Sequence, residues 1–116
     1  MEGALVLLDG RAALSCIVLA ATTGGRRITT IEGLAESGDE LLDHFADKGA
    51  AQCGFCTPGM IVAARAHLSQ PRESGDEREA AREALAGNIC RCTGYTRIVD
   101  AVASCAAAEE GTPCAS

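Results

Sequence analysis

A chain of 116 residues with a net charge of −6 is sized for one domain, or one domain with part of another, around a modest hydrophobic core. The negative charge, with no basic stripe to offset it, argues against a nucleic-acid backbone as partner. No apolar run approaches the roughly 20 residues that span a bilayer, and residues 1–10 lack the basic start and cleavage site of a secretory signal, so a soluble, cytoplasmic protein is expected.

In chain order, Leu5-Val6-Leu7-Leu8 reads as a strand that stops at Asp9-Gly10. A second strand, Arg27-Ile28-Thr29-Thr30-Ile31, follows the turn signal Gly24-Gly25. Residues 39–48 then place Leu41, Leu42 and Phe45 at helical spacing, with Gly49 as the stop. Thr57-Pro58 starts the next helix, in which Met60, Ala64 and Leu68 recur on one face before Gln70-Pro71 ends it. Residues 72–75 read as a solvated loop. Asp76 or Ser74 can cap a third helix reaching about Ala86, with Ala81, Ala84 and Leu85 inward and Gly87-Asn88 beyond it. Thr96 can cap a fourth, with Ile98, Val102 and Cys105 on one face and Glu109-Glu110-Gly111 as its end. Phe45, Phe55 and Tyr95 are the only aromatics, so these helices must pack closely through small residues.

Seven cysteines in so short a chain announce either a disulfide scaffold or a metal site. The number is odd, and four of the seven form two tight pairs, Cys53-x-x-Cys56 and Cys90-x-Cys92, which favours metal. The order is helix, pair, helix, helix, pair, helix, which predicts two helical hairpins whose cysteine turns meet at one end. Two thiolate pairs suit a 2Fe-2S cluster, because each iron completes its tetrahedron with two bridging sulfides and two thiolates. Four thiolates also suit structural zinc, and spacing alone does not choose between them.

The flanking residues do choose. Residues 51–60 (AQCGFCTPGM) and 87–95 (GNICRCTGY) closely resemble the two cluster-binding stretches of the xanthine dehydrogenase, or molybdenum hydroxylase, family. The match is to the small iron-sulfur subunit of separate-subunit members such as carbon monoxide dehydrogenase and the isoquinoline and aldehyde oxidoreductases. It runs over about residues 3–104 and includes Leu7-Leu8-Asp9-Gly10, Ser15-Cys16 and residues 29–34 (TTIEGL). The resemblance implies a mainly α fold: a four-helix 2Fe-2S-binding domain of two helical hairpins, preceded by a truncated, β-rich remnant of a plant-type ferredoxin domain. The expected boundaries are 1–36 for the remnant, 37–108 for the four-helix domain and 109–116 for a flexible tail. It further implies that Cys53, Cys56, Cys90 and Cys92 hold one 2Fe-2S cluster, and that Gln52 contacts the molybdopterin of a large partner subunit. An FAD-binding medium subunit is the expected third component.

The amino-terminal part departs from the family pattern. Cys16 matches the last of four ferredoxin-type cysteines, but Met1 and Ala4 stand where the second and third belong, so a second cluster is not expected.

Other residues have plainer readings. Gly54, Gly59 and Gly94 read as backbone permissiveness in tight turns, Cys16 and Cys105 as small buried hydrophobes, and Cys114 as a tail thiol. His44 and His67 stand near no other ligand in sequence, Arg91 is a candidate hydrogen-bond donor to the cluster region, and the charges of residues 72–83 read as a solvated helix face rather than an acid-base site. No catalytic dyad is found. The expected function is a 2Fe-2S electron-transfer subunit of a molybdopterin-dependent hydroxylase, with a zinc-stapled interaction module or a non-functional remnant as the alternatives.

Overall fold

The computed structural model describes residues 4–72 and 75–109. Strands β1 (Leu5–Leu8) and β2 (Arg11–Leu14) form an antiparallel hairpin, and β3 (Ile28–Thr29) pairs antiparallel with the other edge of β1, giving the order β2-β1-β3. Asp9 and Gly10 both take positive φ, 53° and 82°, the conformation a two-residue hairpin turn demands. The Asp9 carboxylate accepts from Arg26 Nε at 2.8 Å and from the Arg27 amide at 2.9 Å, tying the turn to the approach to β3.

Five α-helices follow: α1 (Ile31–Glu36), α2 (Glu40–Asp47), α3 (Thr57–Leu68), α4 (Glu77–Leu85) and α5 (Thr96–Glu109). The fold is therefore mixed, helical with a small sheet, and has one helix more than expected. The expected strand 27–31 shrinks to Ile28–Thr29, because Thr30 caps α1, its hydroxyl accepting from the Gly33 amide. Asp39 and Asp76 cap α2 and α4 in the same manner, Asp39 accepting from the Leu41 amide and Asp76 from those of Arg78 and Glu79. Thr96 is the first residue of α5 rather than its cap; Val99 donates to the Tyr95 carbonyl one residue earlier. Met1, Ser74, Glu110-Gly111 and Cys114, with the tail from 110 onward, lie outside the described residues.

The core lies among α2 to α5. Leu41, Met60, Val62, Leu85, Ile98, Val99 and Val102 are fully buried, α2 and α4 both pack on α5, and β1 lies against α3. Helix α3 is enclosed nearly all round: every residue from Gly59 to Ala66 is buried, Arg65 among them at 2% exposure. That arginine forms ion pairs with Asp39, the cap of α2, and with Glu109 of α5 at 2.8 Å. Burial alone disfavours its charge, but the two carboxylates outweigh that and raise its pKa, so one cation fastens three helices. Ala81 and Leu85 of α4 point inward as expected, Ala84 is half-buried, and Gly59 sits inside α3 rather than in a turn. No described helix is long and apolar enough to cross a membrane.

Candidate metal centre

Both cysteine turns are presented by helix ends. Helix α2 closes with the Gly49 amide donating to Ala46 O (3.1 Å) and the Ala50 amide to Phe45 O (2.9 Å), a reversal centred on Gly49 at φ 61°. The positive φ strains any side chain there, and a Cβ, 2.9 Å from Arg97 Nη1, would also push the end of that arginine aside. Ala50 is wholly buried, and the chain emerges directly into Gln52 and Cys53, both exposed. Gly54 at φ 84° turns the first pair, and Cys56 is buried at the N-terminal end of α3, where the helix dipole favours a thiolate.

The second turn is cinched by Tyr95. Its phenol donates to the Asn88 carbonyl at 2.9 Å and accepts from the Cys90 amide at 2.8 Å, so one side chain spans the loop from 88 to 95. Gly94 and Tyr95 both take positive φ, 64° and 70°. Thr93 Oγ1 lies 3.0 Å from Cys90 Sγ and accepts from the Tyr95 amide at 3.2 Å, while the Thr93 amide approaches the same sulfur at 3.5 Å.

The fold brings the cysteines of the two turns together in two couples. Cys56 lies within hydrogen-bonding contact of Cys90, and Cys53 of Cys92. Burial raises the Cys90 pKa, but hydrogen bonds from the Thr93 hydroxyl and amide, Cys56 and the Cys92 backbone bring it down to about 7. The Cys92 thiol is pushed up, chiefly by Cys53 beside it. Among the described residues no three His, Cys, Asp or Glu side chains converge on one point as a single ion requires. The thiols approach as two couples instead, each with one sulfur from either turn, and the buried Thr57 hydroxyl next to Cys56 has no hydrogen-bond partner. This donor set fits a two-iron cluster, whose irons each take two thiolates.

Of the remaining expectations, Cys105 is buried, and burial together with the Glu109 charge pushes its thiol up to about 12. Cys16 is exposed, not buried as expected, because residues 15–17 form a short 3-10 turn with no buried residue on it. His44 bonds Ser104 Oγ at 3.0 Å, joining α2 to α5, and His67 is half-buried with its pKa lowered by burial and by Arg72. Arg91 is exposed. In the charged stretch Arg82 pairs with Glu79 at 3.0 Å, and Arg78 pairs with Asp100 of α5. Thr93 and Tyr95, which shape the second turn, were readable only as part of the motif. Phe55 and Ile89, each just before a cysteine, are 81% and 75% exposed.

Residues 30–103 match the family described as the 2Fe-2S binding domain. The xanthine dehydrogenase iron-sulfur-binding subunit of Escherichia coli O157:H7 is 49% identical over 102 residues, covering 86% of this chain and 64% of that protein. The nicotine 6-hydroxylase small subunit of Paenarthrobacter nicotinovorans is 44% identical over 98 residues, covering 84% and 58%. The chain thus spans less than two thirds of the length of these relatives. The crystal structure of quinoline 2-oxidoreductase from Pseudomonas putida 86 superposes with a TM-score of 0.77 at 42% identity, over 94% of this chain and 70% of that one. With the family matched over most of the helical part and both cysteine turns inside the match, the chain belongs to the 2Fe-2S binding domain family.

Proposed function

We propose that this chain is the 2Fe-2S electron-transfer subunit of a molybdopterin-dependent hydroxylase, with Cys53, Cys56, Cys90 and Cys92 as the four ligands of one cluster. The observation that carries the reading is the meeting of Cys53 with Cys92 and of Cys56 with Cys90 inside a family match to 2Fe-2S domains. When bound, the cluster supplies one-electron storage and transfer.

The chain's own residues do the rest. Helix α3 directs its dipole at Cys56, Tyr95 fixes the loop that carries Cys90 and Cys92, and the rigid α2 to α5 core limits movement when the cluster's charge changes. Residues 37–108 form the four-helix cluster domain in this reading, and the part before it, which carries Cys16, is ferredoxin-like, with a small sheet in residues 5–29.

The partners are a molybdopterin-binding large subunit and an FAD-binding medium subunit, in the cytoplasm. Exposed Phe55 and Ile89 beside the cysteines form an apolar rim for the large subunit to cover, and Gln52, exposed and adjacent to Cys53, offers both donor and acceptor groups to its pterin. The relatives' names, a xanthine dehydrogenase iron-sulfur-binding subunit and a nicotine 6-hydroxylase small subunit, support a role within such assemblies.

Anaerobic purification with iron, sulfide and zinc analysis and an electron paramagnetic resonance spectrum after dithionite reduction tests the reading. About two irons and two sulfides per chain, with the rhombic signal of a reduced 2Fe-2S centre, is the expected result. A colourless protein with one zinc per chain overturns it.

A further inference from the structure

We propose that the Thr93 hydroxyl is a positioning residue that donates a hydrogen bond to the Cys90 sulfur and thereby raises the reduction potential of the cluster; this inference rests on the ligand assignment proposed above. Thr93 Oγ1 stands 3.0 Å from Cys90 Sγ, a distance at which either atom can donate while the sulfur carries a proton. A sulfur bound to iron has none, so in the loaded protein the hydroxyl alone can be the donor.

The other half of the hydroxyl's capacity is already engaged. Its oxygen accepts the Tyr95 amide at 3.2 Å, which leaves the proton available to the sulfur. Rotation away is further restricted, because Thr93 is half-buried in a loop that Tyr95 clamps through the Asn88 carbonyl and the Cys90 amide. Cys90 therefore receives a fixed hydroxyl donor in addition to the longer contact from the Thr93 amide at 3.5 Å.

The step tuned is a one-electron reduction. An external reductant would supply the electron, no bond would break, and the hydroxyl proton would stay on Thr93. A hydrogen bond to a ligand sulfur withdraws electron density, and it strengthens as the cluster becomes more negative, so it favours the reduced state.

The test is a mediated potentiometric titration of the full chain, read by electron paramagnetic resonance, for wild type, Thr93→Val and Thr93→Ser, each with iron and sulfide counted. Thr93→Val is expected to keep two irons and shift to a lower potential, its reduction equilibrium falling about threefold to tenfold, while Thr93→Ser stays near wild type. A Thr93→Val cluster with the wild-type potential overturns the inference, and so does a Thr93→Ser protein shifted as far as Thr93→Val. If Thr93→Val takes up no cluster, Thr93→Ala, which removes the hydroxyl and adds nothing, replaces it. Loss of the cluster in both, with Thr93→Ser intact, also overturns the tuning role in favour of an assembly requirement. A wild-type chain without a cluster is a different failure, since it defeats the ligand assignment itself.

Discussion

The helical part and the β part of this chain solve the same problem with unequal means. From Leu41 onward the protein buries leucine, methionine, isoleucine, valine and alanine around α3, whereas residues 4–36 contribute only Leu7, Leu8 and Leu34 to the buried set and leave Ile17, Leu19 and Ile28 more than half exposed. The three-stranded sheet is held instead by a tight turn, the Asp9–Arg26 ion pair and contact with α3. The helices, and not the sheet, therefore set the rigidity of the cysteine turns: both turns hang from ends of α2, α3 and α5.

The largest effect is expected at Arg65. Arg65→Ala removes the shared cation from the Asp39 and Glu109 carboxylates, 10% and 6% exposed, leaving Glu109 only Arg72 at 3.9 Å, and is expected to cost about 3–5 kcal/mol in urea unfolding. A loss below about 1 kcal/mol contradicts the fastening role. Next comes Met60→Ala in the enclosed face of α3, expected to cost about 2–5 kcal/mol, set against Ile28→Ser in the exposed sheet, expected to change stability by about 0.5 kcal/mol or less. Equal losses at the two sites erase the distinction between the halves.

Thiol chemistry sharpens the same contrast. At pH 8 iodoacetamide is expected to label exposed Cys16 in the native protein and to reach Cys105 only after denaturation, because burial and Glu109 hold the Cys105 thiol protonated up to about 12. Peptide mass spectrometry reads the order, and early labelling of Cys105 contradicts its burial.

The smallest effect is a pH dependence at His67. Its folded pKa lies below the ordinary 6.5, because burial and Arg72 disfavour the charged ring. Below 6.5 the unfolded chain therefore takes up a proton that the folded chain resists, and stability falls as pH drops from 6.5 toward the folded value. The contribution is fully present above that window. Between pH 7.5 and pH 5 the stability of wild type should fall relative to that of His67→Gln; a constant difference contradicts the shift.

Much of this was legible in the residues themselves. The Asp76 cap, the Gly49 stop, the Thr57-Pro58 start and the inward Met60, Leu85 and Ile98 obey local rules of periodicity and capping, and the cysteine turns were visible as spacing plus flanking residues. What was not legible depends on partners distant in sequence. Arg65, a charge flanked by alanines, reads as solvent-facing until Asp39 and Glu109 are brought to it from 26 and 44 residues away. Strand β2, Arg-Ala-Ala-Leu, has little strand propensity and exists because the Asp9-Gly10 turn folds it onto β1. Cys16 was expected inside because cysteine is usually buried, yet its short 3-10 turn faces outward. The phenol of Tyr95 was seen only as part of a motif, and its two hydrogen bonds appear only once the loop closes.

The most direct test of the account is a set of single serine substitutions at Cys53, Cys56, Cys90 and Cys92, with Cys16→Ser as control, each purified anaerobically and read by visible absorption and iron content. Each of the four is expected to lose or severely weaken the cluster chromophore while the control keeps it. An unchanged spectrum in any of the four contradicts the assignment of that sulfur to the cluster.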